Sequence, residues 1–228
     1  MRSKKTIGIL AGMGPRSTAP FLDLVIYECQ KQYGAILDED FPHMMIYSLP
    51  TPFYLDRPID HNKMKETVIK GMQRLAATGV DFIAIPCNTV HAYYDEIKRH
   101  VKVKVLNIIE ESMRNLNGGR NIALIATVPT IQSGAYQNFI NQVGASTIPS
   151  VNFQSSVNNL ISKVKIGISY QDLLSEWMEL ITIMKSAGAD SAIIACTDLS
   201  VFSKNSDGLP IVDSSNALAK AIVEEYLK

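Results

Sequence analysis

The sequence predicts an α/β protein of two similar lobes, each a parallel sheet flanked by helices, related by a pseudo-twofold axis with a ligand site between them. Three observations predict it. Short apolar, β-branched runs alternate with amphipathic stretches; the second half of the chain repeats the plan of the first; and the repeat places a cysteine at the same position in each copy. A chain of 228 residues suffices for one large domain or two small ones of about 100 residues each, with a core in both.

In chain order, the runs at residues 6–10, 44–48, 82–85, 105–108, 122–126, 191–195 and 209–212 read as buried parallel strands. They are short, rich in branched residues and without the alternation of a half-exposed sheet. The intervening stretches 18–31, 61–78, 91–100, 131–142, 155–165, 170–186 and 214–226 read as helices. In the second of these, Met64, Val68, Met72 and Leu75 recur at helical spacing and supply one apolar face. Alternating strands and helices imply βαβ crossovers and a parallel sheet.

The repeat is legible residue by residue. TIGILAG ending at Gly12 matches NIALIAT ending at Thr127, and each opens a helix. GVDFIAIPC ending at Cys87 matches GADSAIIAC ending at Cys196. The segments ending at Glu110 and Asp213 extend the match, each read as a strand ending in a carboxylate before a helix. Paired about a pseudo-twofold axis, the halves would aim both thiols into one crevice. No low-complexity linker separates them, so close packing is expected.

Composition excludes several functions. Lys plus Arg and Asp plus Glu both number 22, so no basic surplus exists to hold nucleic acid. The basic start of the chain runs into an apolar stretch that breaks at Gly12 and Gly14, too soon for a signal-peptide core. A cytoplasmic protein with no membrane role is expected. Three cysteines, an odd count, argue against a disulfide framework and leave each thiol to be explained singly.

Cys29 lies mid-helix and reads as a small buried hydrophobe. Cys87 and Cys196 each stand at the carboxyl end of a strand, where open α/β sheets bind ligands, and before a helix whose N-terminus favours a thiolate. Two such thiols suit inversion at a carbon centre, which needs a base on one face and an acid on the other. An ordinary thiol pKa of about 8.5, lowered by its surroundings, lets one thiolate and one thiol coexist near neutral pH. Thr197 can cap its helix or hold a substrate oxygen. The turn from Gly12 to Pro15 opens a helix and could receive a carboxylate on its N–H groups, or serve as a bare turn; as a dinucleotide fingerprint it lacks the third glycine, Ser17 standing there. His91 reads as a helix-face residue beside Tyr94 rather than a base. A zinc site from Cys87, His91 and Cys196 matches no usual spacing, so no metal is expected. Met13, Met44, Met45, Met64 and Met72 read as core filler more than as a binding stripe.

Four stretches together resemble the signatures of the aspartate/glutamate racemase family: GILAGMGP ending at Pro15, PCNTVH ending at His91, TIQSGAY ending at Tyr136 and ACTDL ending at Leu199. The match spans the chain. Within the family, AGMGP and PTPFYLDRPIDH ending at His61 are most similar to the broad-specificity amino-acid racemases of bacilli. The resemblance implies a cofactor-independent two-base racemase acting on a free amino acid, with Cys87 and Cys196 as the catalytic pair, commonly as a homodimer. It implies substrate contacts from Met13, Thr51, Asn88, Thr89, Thr127, Lys165 and Thr197. It also implies one lobe of residues 1–100 plus 209–228 carrying Cys87, and another of residues 101–208 carrying Cys196. On spacing alone Lys165 is a solvated helix-end lysine; the resemblance promotes it to the cleft. Aspartate-specific members place an arginine where Leu55 stands here, with Arg57 two residues on, which weakens the case for an acidic substrate. The alternatives are a related one-cysteine isomerase or decarboxylase, and an amino-acid-binding protein with little turnover.

Overall fold

A computed structural model describes residues 5–54, 57–116 and 118–228. Two four-stranded parallel sheets form its frame. The first contains β1 (Thr6–Ala11), β2 (His43–Ser48), β3 (Phe82–Ala84) and β4 (Lys104–Val105) in the order β2-β1-β3-β4; the second contains β5 (Asn121–Ala126), β6 (Ser146–Thr147), β7 (Ser191–Ala195) and β8 (Ile211–Asp213) in the order β6-β5-β7-β8. The order is the same with every strand advanced by four, so the sequence repeat is a repeat of topology. Among the described residues no helix is long and apolar enough to cross a membrane.

Nine α-helices are described: α1 (Thr18–Tyr33), α2 (His61–Ala76), α3 (Tyr94–Ile97), α4 (Ile108–Arg114), α5 (Val128–Gln132), α6 (Ala135–Gln142), α7 (Gln154–Ile166), α8 (Tyr170–Ser186) and α9 (Ser214–Leu227). Their ends follow local chemistry. Asp60 accepts a hydrogen bond from the Lys63 N–H at the start of α2, and Ser169 does the same for Asp172 at the start of α8. Gly34 and Gly167 end α1 and α7 in the left-handed conformation that glycine adopts without penalty.

Apolar side chains form three clusters. One, including Met64, Val68, Met72 and Leu75, covers the outer face of the first sheet with α2. A second, around Trp177 and Phe202, covers the outer face of the second sheet with α7 and α8; the two rings stack at 4.9 Å. The third lies between the sheets. It joins Ile7 and Ile9 of β1, Phe21 and Val25 of α1, Ile122 and Leu124 of β5, Tyr136 and Ile140 of α6, and Leu218 and Ile222 of α9. One apolar core therefore spans both halves, and its burial fixes their relative placement.

Four sequence expectations change. Residues 105–108 are not all strand, because Asn107 accepts from the Ile109 N–H and starts α4. The counterpart of Asp213, which caps α9 through the Ser215 N–H, is thus Asn107 and not Glu110. β4 pairs with β3 and β8 with β7, so each half of the repeat closes its own sheet by short crossovers, while α9 packs on α1 and α4. The strand at 43–48 is a largely exposed edge, and the expected helix at 131–142 breaks at Gly134 into α5 and α6.

A buried polar network runs through the central core. The Tyr136 hydroxyl donates to Asn88 Oδ1 at 2.7 Å and lies 3.2 Å from the Ser112 hydroxyl, and Asn88 Nδ2 donates to the Ser214 hydroxyl at 2.9 Å. Tyr136→Phe strands the Asn88 oxygen and should lower unfolding free energy by roughly 1–3 kcal/mol. Urea titration of the variant measures the loss; an unchanged midpoint would show the network to be dispensable.

Candidate active site

The carboxyl ends of β1, β3, β5 and β7 converge on one cavity of about 750 Å³. Cys87 and Cys196 both line it, and so do Met13, Thr51, Asn88, Thr89, Thr127, Lys165 and Thr197. Each cysteine leaves its strand at the same place in the repeat. Cys87 follows β3 by three residues, its N–H bonded to the Ile85 carbonyl at 2.8 Å, and Cys196 directly follows β7. The turns after them, Thr89–Tyr93 and Thr197–Phe202, are 3-10 and not α-helical. Cys29 is fully buried in the central core, away from the cavity.

Burial decides the state of both thiols. It pushes the Cys87 thiol up; the N–H groups of Val90 and Thr89 and the Lys165 ammonium pull it down less strongly, and the Asp198 carboxylate adds to the rise. Cys196 is pushed well above the ordinary thiol range, first by burial and then by Asp198. Charge on Cys87 would raise Cys196 further, and both thiols line the same cavity. The sequence expectation of a thiolate favoured by the turn's N-terminus is thus reversed: desolvation outweighs the N–H groups.

The polar lining is ordered by its own hydrogen bonds. Thr89, Thr127 and Thr130 close a ring of three hydroxyls at 2.9–3.1 Å, tying a turn of the first half to α5 of the second. Thr197 Oγ1 donates toward the Ser17 hydroxyl and the Pro86 carbonyl, both at 3.3 Å. Asn88 faces the cavity while its amide is held by Ser214 and Tyr136. Gly12, at φ +89, must be glycine: a Cβ there would meet the Leu49 nitrogen at 2.6 Å. Its N–H donates to the Thr18 hydroxyl at 3.2 Å, so that donor is already engaged.

Lys165 is inside the cleft, 23 % exposed, with Nζ 2.8 Å from Asp198 Oδ2 and 5.4 Å from the centre of the Phe53 ring. Burial works against its charge, but Asp198 outweighs burial and holds the ammonium above its usual value. His91 is not at the cavity. Its Nε2 accepts from the Ile108 N–H at 3.3 Å, which leaves Nδ1–H to donate to the Cys87 carbonyl at 2.7 Å. The ring stacks on Tyr94 at 5.6 Å, and burial lowers its pKa to about 4. A neutral His91 therefore braces the Cys87 backbone. Leu55 lies outside the described residues. Arg57 stacks on Tyr54 at 4.7 Å and lines an adjoining cavity of about 340 Å³, not the one holding the thiols.

Sequence reasoning did not single out Ser48, Phe53, Tyr54 or the acid of Asp198 as cleft residues, yet all four line it. The signal for Asp198 was present. It stands two residues after a strand-end cysteine, at the position that Thr89 occupies in the first copy of the repeat.

A model of the Asp/Glu/Hydantoin racemase family matches residues 10–222. The chain is 48 % identical over 223 residues to the broad specificity amino-acid racemase RacX of Bacillus subtilis (strain 168), covering 97 % of this chain and 98 % of that protein. It is 26 % identical over 178 residues to the glutamate racemase of Aquifex aeolicus (strain VF5), covering 73 % and 68 %. Its fold superposes on the aspartate racemase of Picrophilus torridus with a TM-score of 0.82 at 26 % identity, over 98 % of this chain and 95 % of that one. The strand-end thiols, the duplicated sheets and these similarities make the chain a member of the Asp/Glu/Hydantoin racemase family.

Proposed function

We propose that this protein racemises free amino acids by a two-base mechanism in which Cys87 and Cys196 act from opposite faces of the α-carbon. The observation that carries the reading is the shared cavity: two thiols at equivalent positions of a repeated fold line one pocket from two different sheets. One sulfur, as thiolate, takes the α-proton and becomes a thiol; the opposite thiol gives its proton to the other face and becomes a thiolate. The carbon is inverted, one proton has been removed and one added, and the sulfurs have exchanged roles. The reverse reaction starts from that exchanged state.

The costly intermediate is the carbanion beside the carboxylate, which gathers negative charge. Lys165 and the hydroxyls of Thr89, Thr127 and Thr197 surround the cavity with donors already oriented by the fold, and such preorganised groups stabilise charge most strongly where water is scarce. Reduced thiols are indispensable to this chemistry, which fits a cytoplasmic location. A homodimer belongs to the same reading, with exposed Ile36, Leu37, Met45 and Ile46 on and before edge strand β2 as apolar surface for it.

Cys87→Ser and Cys196→Ser should each reduce racemisation by roughly a hundred- to ten-thousandfold while circular dichroism stays unchanged. Chiral chromatography reads the rate. Near-full activity in either variant would leave a one-cysteine reaction in its place.

The pH profile gives a second check. Burial raises both thiols, so each stays protonated to higher pH than an ordinary thiol and ionises as pH rises further. Because kcat/KM reports the free enzyme, it should climb on the alkaline side of the ordinary thiol value, the limb belonging to the pair and led by Cys87. A limb in the acidic range would contradict the burial-dominated thiols.

A further inference from the structure

Asp198 is 4 % exposed, and its two oxygens are treated differently. Oδ2 is 2.8 Å from the Lys165 ammonium, whereas Oδ1 is buried without a hydrogen-bond partner among the described residues. A buried carboxylate oxygen left without a donor is costly unless a ligand supplies one. Asp198 and Lys165 both line the thiol cavity, as does the loop after β1. That loop carries Gly14, where a Cβ would stand 2.8 Å from Lys165 Nζ and 2.9 Å from Asp198 Oδ1.

The pair also lies close to the thiols. Lys165 and Asp198 line the same cavity as Cys87 and Cys196, and Asp198 stands two residues after Cys196, so the pair adjoins the place where the proposed reaction puts the α-carbon. An anion and a cation side by side complement a zwitterion, whose ammonium and carboxylate are likewise adjacent. We infer that Asp198 Oδ1 receives the α-ammonium of the substrate while Lys165 meets its α-carboxylate, so that the pair reads the zwitterionic head and the site favours amino acids without a side-chain carboxylate.

This inference rests on the racemase reading and names its substrate class. Lys165 is the one cation among the described residues lining the cavity, and the head group uses it. A second carboxylate would find no counter-charge there and would face Asp198. The walls left for a side chain include Pro50, Phe53, Met64 and Val90, which suit apolar or long aliphatic groups. The same contact serves the chemistry. Asp198 keeps the ammonium protonated, and an ammonium next to the α-carbon withdraws electrons and offsets the charge of the carbanion.

The test compares kcat/KM for alanine, lysine, aspartate and glutamate in the wild type, Asp198→Asn and Asp198→Glu. The wild type should favour alanine and lysine over the two acids by about tenfold or more. Asp198→Asn releases Lys165 from its partner, so the ratio of aspartate to alanine should rise by about tenfold or more, with KM for alanine increased. Asp198→Glu keeps the charge and should keep the wild-type ranking. A purely structural role would lower all four substrates in proportion and leave the ratio unmoved, which overturns the inference; so does a wild type that prefers aspartate or glutamate, even if neither variant folds. Calorimetric binding of the same amino acids reads the ranking without turnover. An intact ranking without racemisation would reject the racemase reading alone.

Discussion

The apolar core between the two sheets is the constraint on which the site depends. A thiol at the end of β3 and another after β7 share a pocket only because β1, α1, β5, α6 and α9 bury one continuous surface between the halves. Alone, each half would present its strand ends to solvent. The polar bridge from Tyr136 through Asn88 to Ser214 adds direction to that packing, since hydrogen bonds fix angles that hydrophobic burial leaves free. The Thr89, Thr127 and Thr130 ring repeats the device at the cavity wall.

Within that frame, two opposed effects set the reactivity of the sulfurs. Burial keeps both protonated, while N–H groups and Lys165 favour the thiolate. Desolvation wins. Asp198 adds to the rise at both thiols, so a positively charged group arriving at Asp198 would relieve part of it.

Much of the frame was legible in the sequence, for a physical reason. Buried strands such as 6–10, 122–126 and 191–195 must be apolar throughout, so hydrophobicity marks the strands, and the residue-by-residue repeat puts a cysteine at the end of one strand in each half. Elements with little burial left weak traces. β6 is two polar residues, Ser146 and Thr147, at a sheet edge. The isoleucines at 108 and 109 extend the apolar run of β4 although Asn107 has already turned the chain into α4. At the site, the cleft residues carried over from motifs line one cavity, but the charge state of the thiols and the half-satisfied Asp198 depend on neighbours brought together only by folding.

Isotope placement during a single early turnover tests the two-thiol arrangement most directly. The wild-type protein is given one enantiomer of alanine in deuterated water, and reactant and product are separated and weighed before equilibrium. Two sulfurs on opposite faces predict deuterium at the α-carbon of the product and almost none in the recovered reactant. Equal labelling of both enantiomers from the first time points would mean that one group serves both faces, and the paired cysteines would lose their assigned roles.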